Sequence, residues 1–248
     1  MTITEALLRD LQADALVREV LIGAFWTLVV LDTEPVRCGL ASTLRGETSQ
    51  DGPPIPEAGS LLGRRAREMV TWMDSKETLR ASVGLAAFNA LLEPDEASFV
   101  ELNASEVIID QGIGGNVAII GHFPFVEEVR QAVERCWVLE LRPRPGDLPA
   151  ERADELLPQA DVVAITSTSL LNHTYDELMD LCQDDAFVVM LGPSTPLTPA
   201  LLSEGVDVLS GTIVDDVGRV RRSIMEGATF RQIKRRGGLR LVSMAYEK

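Results

Sequence analysis

VAIIGHFPFVEEV, Val117 to Val129, runs from an unbroken apolar, β-branched stretch through a glycine into helical spacing, with a histidine at the turn. A strand that ends at a glycine and enters a helix opens a βαβ unit. The pattern repeats toward the C-terminus, where apolar runs at Val117–Ile120, Trp137–Leu141, Val162–Ile165, Phe187–Leu191 and Val206–Leu209 each precede a helical or capped segment. Thr174 and Glu177 have the spacing of a capping box, Thr198 is followed by Pro199 at the first helical position, and Asp215 can cap a further helix. The series predicts a mostly parallel sheet with helices on its faces, to which Leu241–Ala245 can add a last strand.

Upstream the pattern differs. Thr2, with Glu5 completing a capping box, predicts a helix over Ile3–Ala13. The runs Val17–Ile22, Phe25–Leu31 and Val36–Ala41 are separated by only a few residues, which permits hairpins and excludes parallel crossovers. An antiparallel meander is expected. GETSQDGPPIPEAGS (46–60) reads as a long loop, and helices follow over Leu61–Thr71 and Ser75–Leu92. In the second helix Ala81, Gly84 and Ala87 would let a neighbouring backbone approach closely. The expected architecture is therefore an α+β domain over residues 1–110 followed by a mostly parallel, three-layer α/β domain over 111–248. Gly112, Gly114 and Gly115 precede the first parallel strand, the wrong end for a phosphate loop, and are read as an interdomain turn.

Composition narrows the function. Of 248 residues 46% are hydrophobic, enough for a sizeable core. No secretory signal pattern opens the chain, and the longest apolar run, Val20–Leu31, falls well short of the ~20 residues that span a bilayer. Cys38, Cys136 and Cys182 are odd in number and form no CxxC pair, which argues against a disulfide framework or a thiolate zinc site and fits a reducing cytoplasm. Each is expected to pack as a small hydrophobe. A net charge of −15 would repel a phosphate backbone, so no nucleic-acid partner is expected. The basic cluster from Arg231 to Arg240 reads as a solvated turn. GxSxG, HExxH and GxxxxGK[ST] are all absent from the sequence.

In an open parallel sheet ligands bind beyond the carboxyl ends of the strands. Those ends carry Gly121, His122, Phe123 and Pro124; Thr166 to Ser169; Gly192, Pro193, Ser194 and Thr195; and Ser210, Gly211 and Thr212. Hydroxyls and backbone N–H groups at helix starts suit a carboxylate or phosphate, and serine and threonine also serve there as ordinary caps. Both histidines lie in these loops, His122 after the first strand and His173 after the third. An imidazole can ligate a transition metal or act as an acid or base near neutral pH. For His173 the simpler reading is an exposed residue before a helix cap. A dinucleotide is the weakest reading: the first turn lacks GxGxxG, and the second strand carries Glu140 but continues to Arg142 and Arg144.

Three stretches taken together, VAIIGHFPF (117–125), ELLPQADVVAITSTSLLNHTYDEL (155–178) and VVMLGPSTPLTPALLSEGVDVLSGTIVDD (188–216), resemble a family of heavy-metal chelation proteins of bacteria and archaea. CGLAST (38–43) and ASVGLAAFNALL (81–92) extend the resemblance over nearly the whole chain. It implies an N-terminal domain like the capping domain of enolase joined to a Rossmann-like domain, with a candidate active site in the cleft between them. Carried over by position, the family's GHFP turn falls on Gly121, His122, Phe123 and Pro124, its threonine–asparagine loop on Thr166, Asn172 and Thr174, and its GPSTP turn on Gly192, Pro193, Ser194, Thr195 and Pro196. The implied function is binding of a heavy metal, or of a metal held by a small chelator, with a transition-metal ion reached by His122. The alternative is an enzyme acting on a small anionic metabolite, with His122 as acid or base. The expected partner is a metal ion or small anionic ligand, and a homodimer is the default assembly for a cytoplasmic protein of this size.

Overall fold

The structure is a computed structural model and describes residues 2–46, 52–93 and 95–245. Residues 47–51 of the expected loop 46–60 lie outside the described part. Helix α1 (Ile3–Asp10) starts on the expected Thr2–Glu5 capping box and ends before the expected Ala13. It stops early because the Asp14 carboxylate accepts the N–H groups of Ala15 and Arg67, drawing the chain into an extended path.

Strands β1 (Val17–Ile22), β2 (Trp26–Leu31) and β3 (Cys38–Ser42) form the expected antiparallel meander in sequential order. The expected helix over 61–71 shrinks to α2 (Ala66–Val70) and a single 3-10 turn, Thr71–Asp74. The residues ahead of α2 instead bond to β1: Val17 donates to the Arg64 carbonyl, and Gly63 donates to the Val17 carbonyl. Helix α3 (Thr78–Leu91) is buried on nearly every side. Gly84 of α3 lies against the backbone of Met73 and Trp72, as its small-residue pattern predicts.

Strand β4 (Phe99–Val100) and helix α4 (Ala104–Gly112) precede β5 (Asn116–Ile120), α5 (Val126–Ala132), β6 (Arg135–Glu140), β7 (Leu148–Pro149) and α6 (Ala153–Leu156). Then come β8 (Val162–Thr166), α7 (Tyr175–Leu181), β9 (Phe187–Leu191), α8 (Pro199–Ser203), β10 (Val208–Val214), α9 (Val217–Met225), α10 (Phe230–Arg236) and β11 (Leu239–Ala245). They build an eight-stranded sheet in the order β4-β11-β10-β9-β8-β5-β6-β7. From β10 to β7 every neighbouring pair is parallel, whereas β11 runs antiparallel to both β10 and β4.

Several expectations are corrected here. Residues 99–110, with β4 and all but the end of α4, fall N-terminal to the anticipated division at 110/111, yet β4 pairs with β11 and α4 packs over β8 and β9. Gly112, Gly114 and Gly115 therefore turn the chain from α4 into β5, inside the large-sheet unit. Strand β10 continues to Val214, so Ser210, Gly211 and Thr212 lie within a strand and not in a loop; the Ser210 hydroxyl bonds that of Ser243 on β11. The side chain that caps α9 is Asp216, not Asp215, which pairs with Arg240. Thr174 precedes α7 without capping it through its side chain. The basic cluster is helical in α10, held by a capping box of Thr229 and Gln232, and only turns at Gly237.

The two parts share their packing. One face of the small sheet, with Val29, Leu31 and Ala41, packs on α3 in a core that continues to Val163, Ile165 and Met190 of the large sheet. The other face, with Trp26, Leu28, Val30 and Leu40, is covered by Val220 and Ile224 of α9 and Ile233 of α10. All six residues of β2 are buried for this reason, which explains why its sequence is apolar without alternation except at Thr27, whose buried hydroxyl bonds that of Thr43. Burying each such aliphatic side chain contributes about 1.5–3 kcal/mol. None of the helices among the described residues is long and apolar enough to cross a membrane.

Candidate functional site

The large sheet reverses its winding at β5. The chain steps from β5 to β6 and β7 on one side and returns to β8 on the other, so the carboxyl ends of β5 and β8 form the switch point where such sheets bind ligands. A cavity of about 530 Å³ opens there.

His122 is set into this cavity by its neighbours. Gly121 has φ +101°, and a Cβ on it would lie 3.2 Å from the Thr166 Cβ, so the turn requires glycine for conformation and for proximity to β8. The His122 N–H donates to Glu140 Oε1 at the end of β6, 2.8 Å away. Pro124 occupies the second position of a turn closed by the Val126 N–H on the Phe123 carbonyl, and α5 begins only at Val126. The rings of Phe123 and Phe125 stack 5.3 Å apart beside it.

The ring of His122 is oriented by Asp147. Its Nδ1 lies 2.9 Å from Asp147 Oδ2 and 3.1 Å from Oδ1, and the Asp147 carboxylate is fully covered. The same carboxylate accepts from Arg130 Nη2 at 3.1 Å and from the Arg144 N–H at 3.1 Å. Burial pushes the Asp147 pKa up, but the hydrogen bond from His122, the Arg144 amide and the Arg130 guanidinium outweigh it and hold the carboxyl below its usual range. An ionised Asp147 accepts from an Nδ1–H, and in the neutral ring that tautomer carries its lone pair on Nε2; among the described residues Nε2 has no partner.

The depressed pKa has a stability consequence. A carboxyl with a lowered folded-state pKa contributes stability that is fully present above its unfolded value of about 3.9 and is lost as pH falls through the folded value. Wild type is therefore expected to exceed Asp147→Asn in stability by a constant margin from pH 7 to about 5, and the margin should close below about pH 4. Urea denaturation across that range measures it; a margin that widens in acid would contradict the assignment.

Six of the expected site residues meet here: Gly121, His122, Phe123, Thr166, Asn172 and Thr174 all line the cavity. The GPSTP turn lies elsewhere. Ser194 is fully buried, and its hydroxyl accepts the Ser42 N–H at 2.8 Å and bonds the Ser42 hydroxyl at 3.0 Å. Asn89 of α3 donates to the carbonyls of Ser194 and Leu40, both at 3.0 Å. Gly192 and Pro193 complete this packed seam between the two parts, Gly192 with φ +129° and Pro193 with its carbonyl bound by Thr212. Thr195 faces a separate cavity of about 290 Å³ along the seam, lined also by Cys38, Asn89 and Arg240. The single cleft anticipated from sequence is thus two cavities, and among the described residues the one holding His122 is lined from 120–181 alone.

His173 does not line the cavity. It is the sole non-glycine residue with positive φ among those described, at +62°, and its Nε2 donates to the Ser75 carbonyl at 2.8 Å. The conformation costs about 1–2 kcal/mol. The turn needs it: Thr174 N–H reaches back to the Ser169 carbonyl, the bond that closes a helix end around a left-handed residue.

Residues 103–243 match the model of a family described as "Putative heavy-metal chelation", and residues 4–92 match a second model with the same description. The chain belongs to this family. A solved DUF364 family protein of unknown function from Desulfitobacterium hafniense is 27% identical, with a TM-score of 0.83 over 98% of this chain and 97% of that one. Another, from Pyrococcus horikoshii, shares the fold at 20% identity, with a TM-score of 0.83 over 98% of each chain. An uncharacterized protein of Methanocaldococcus jannaschii is 25% identical over 167 residues, a stretch that spans 64% of this chain and 64% of that protein's length.

The family description suggests chelation of a heavy metal, and the side chains limit how this chain can do so. Soft metals favour thiolates. Burial raises the pKa of Cys38 to about 12 and that of Cys182 to about 11; Cys136 is likewise raised by burial to about 11, so all three remain thiols. Among the described residues no group of three or more His, Cys, Asp or Glu side chains is arranged to hold a metal ion. A closed protein cage therefore does not fit. One oriented imidazole ringed by oxygen groups fits a metal that brings ligands of its own. Sequence reasoning missed Asp147 in this arrangement, since nothing in RPRPGDLP marks a partner for a histidine 25 residues upstream.

Proposed function

We propose that the switch-point cavity binds a cationic complex of a transition metal with a small chelator, and that His122 Nε2 supplies the protein's donor to the metal. The observation that carries this reading is the His122–Asp147 pair, in which a buried carboxylate fixes the imidazole and leaves its other nitrogen unpartnered. The lining supports a positive ligand: it includes the carboxylates of Glu140, Glu151, Asp154 and Glu177, and among the described residues no lysine or arginine joins them. Thr166, Thr168, Asn172 and Thr174 offer hydroxyl and amide groups to the chelator. The cavity volume lies within the ~300–1,000 Å³ typical of small-molecule sites.

The pair also suits a general base, since a carboxylate that orients imidazole is the arrangement used for proton abstraction. The carboxylate lining weighs against the anionic metabolite that the enzymatic reading requires.

Charge selection separates the readings. Calorimetric titration at pH 7.5 with Ni2+, its cationic ethylenediamine complex and its anionic nitrilotriacetate complex should give tightest binding for the ethylenediamine complex and weakest for the nitrilotriacetate complex. Preference for the anionic complex, or no nickel binding in any form, would sink the proposal. Thermal stabilisation by a metal-free organic acid would favour the enzyme.

A further inference from the structure

We infer that His173 is a positioning residue through which the N-terminal part, none of whose described residues lines the His122 cavity, sets one wall of it; the inference rests on the binding function proposed for that cavity. Asn172 and Thr174 both line the cavity, and His173 sits between them facing the other way. Asn172 Oδ1 accepts the Thr174 hydroxyl at 2.8 Å and the Thr174 N–H at 3.3 Å, so the two residues form one rigid unit. This leaves the Asn172 amide donors without a partner among the described residues.

What holds that unit in place comes from outside the large sheet. The left-handed position at 173 closes the end of the short 3-10 helix over Ser167–Leu170, a place where glycine is free of steric penalty. This chain has histidine there instead, and among the described residues the one hydrogen-bond partner of its side chain is the Ser75 carbonyl, just beyond the 3-10 turn Thr71–Asp74. A second tie lies one helical turn further on, where Asp176 Oδ1 accepts the Ile3 N–H at the start of α1 at 2.9 Å. The wall carrying Asn172, Thr174 and Glu177 is thus pinned at two points to the N-terminal part, whereas the wall carrying His122 and Glu140 is fixed within the large sheet.

His173→Gly removes the side chain and relieves the backbone, and His173→Gln restores an N–H donor at nearly the same reach. With the nickel–ethylenediamine complex as probe, His173→Gly should weaken binding by about tenfold, the loss of a single wall contact, and His173→Gln should recover most of it. The thermal midpoint of the glycine variant should stay level or rise, which a merely structural role would not predict. Hydrogen exchange without ligand provides the second arm: segment 167–178 should exchange faster in His173→Gly, with β5 and β6 unchanged. Unaltered nickel affinity in the glycine variant would overturn the inference. If wild type itself binds no nickel, the binding function fails and exchange alone decides: unchanged exchange over 167–178 overturns the latch, and accelerated exchange upholds it.

Discussion

Gly39→Ala is expected to destabilise the protein by more than about 3 kcal/mol, the largest single stability effect that the packing implies. A Cβ at Gly39 would lie 2.2 Å from the Ala86 carbonyl oxygen, 2.3 Å from the Ala90 nitrogen and 2.7 Å from the Asn89 carbonyl carbon. All three are backbone atoms of α3, so no rotamer change can relieve the overlap. Strand β3 would have to retreat, breaking the Asn89–Leu40 hydrogen bond that holds it on α3 and the Ser42–Ser194 hydrogen bond that joins the two parts. Gly63 is the control: its φ is +77°, yet a Cβ there meets nothing within 4 Å, so Gly63→Ala should cost only the ~1–2 kcal/mol of its backbone conformation. Urea denaturation of the two variants should show the gap; equal losses would mean that β3 does not lie on α3 as described.

The same contact shows what the sequence made legible. Period and connection length were sufficient for the meander and the parallel series, because both report local constraints: short links force hairpins, and apolar runs followed by caps force βαβ units. The closeness of β3 to α3 was half visible, in the small residues of ASVGLAAFNALL, but the glycine that permits it stands far away in CGLAST. Errors arose where long-range partners overrode a local signal. Ser210, Gly211 and Thr212 carry turn chemistry, yet they are strand because β11 pairs along the whole of Val208–Val214 and Ser243 takes up the Ser210 hydroxyl. Leu61–Arg64 carry helical spacing, yet the Gly63 N–H and the Arg64 carbonyl bond to Val17 of β1.

The site divides in the same way. His122 was legible because a strand-end turn displays it, and Thr166 because its strand ends beside the first. The hydroxyls of the GPSTP turn looked alike in sequence, but Ser194 faces Ser42 and serves the seam. Asp147 was invisible: it follows a Pro-Gly turn among arginines, where an exposed acid is the ordinary expectation, and only the folded loop between β6 and β7 brings it to His122 Nδ1. The negative lining of the cavity was equally hidden, since Glu140, Glu151, Asp154 and Glu177 come from separate elements in an acidic chain.

His122→Ala should abolish measurable binding of the nickel–ethylenediamine complex, a loss of at least about a hundredfold, because among the described residues no other imidazole or thiolate lines the cavity to replace Nε2. Asp147→Asn should act through the ring, not on the metal. It retains the shape but presents an amide to Nδ1, so the imidazole is no longer held as the tautomer with a free Nε2, and affinity should fall about 10–100-fold, as expected for an outer partner of a metal ligand. The two losses should not add: in His122→Ala/Asp147→Asn the second substitution has no ring left to orient, so binding should match that of His122→Ala alone. The stability effects should separate the other way. Asp147→Asn removes the countercharge of Arg130 and should destabilise the fold at neutral pH, whereas His122→Ala removes a ring that is 21% exposed and should change it less. Calorimetry paired with urea denaturation on the three variants reads both quantities. An Asp147→Asn protein that binds nickel as tightly as wild type would show that the imidazole finds its orientation without the carboxylate, and the pair would then be part of the scaffold alone.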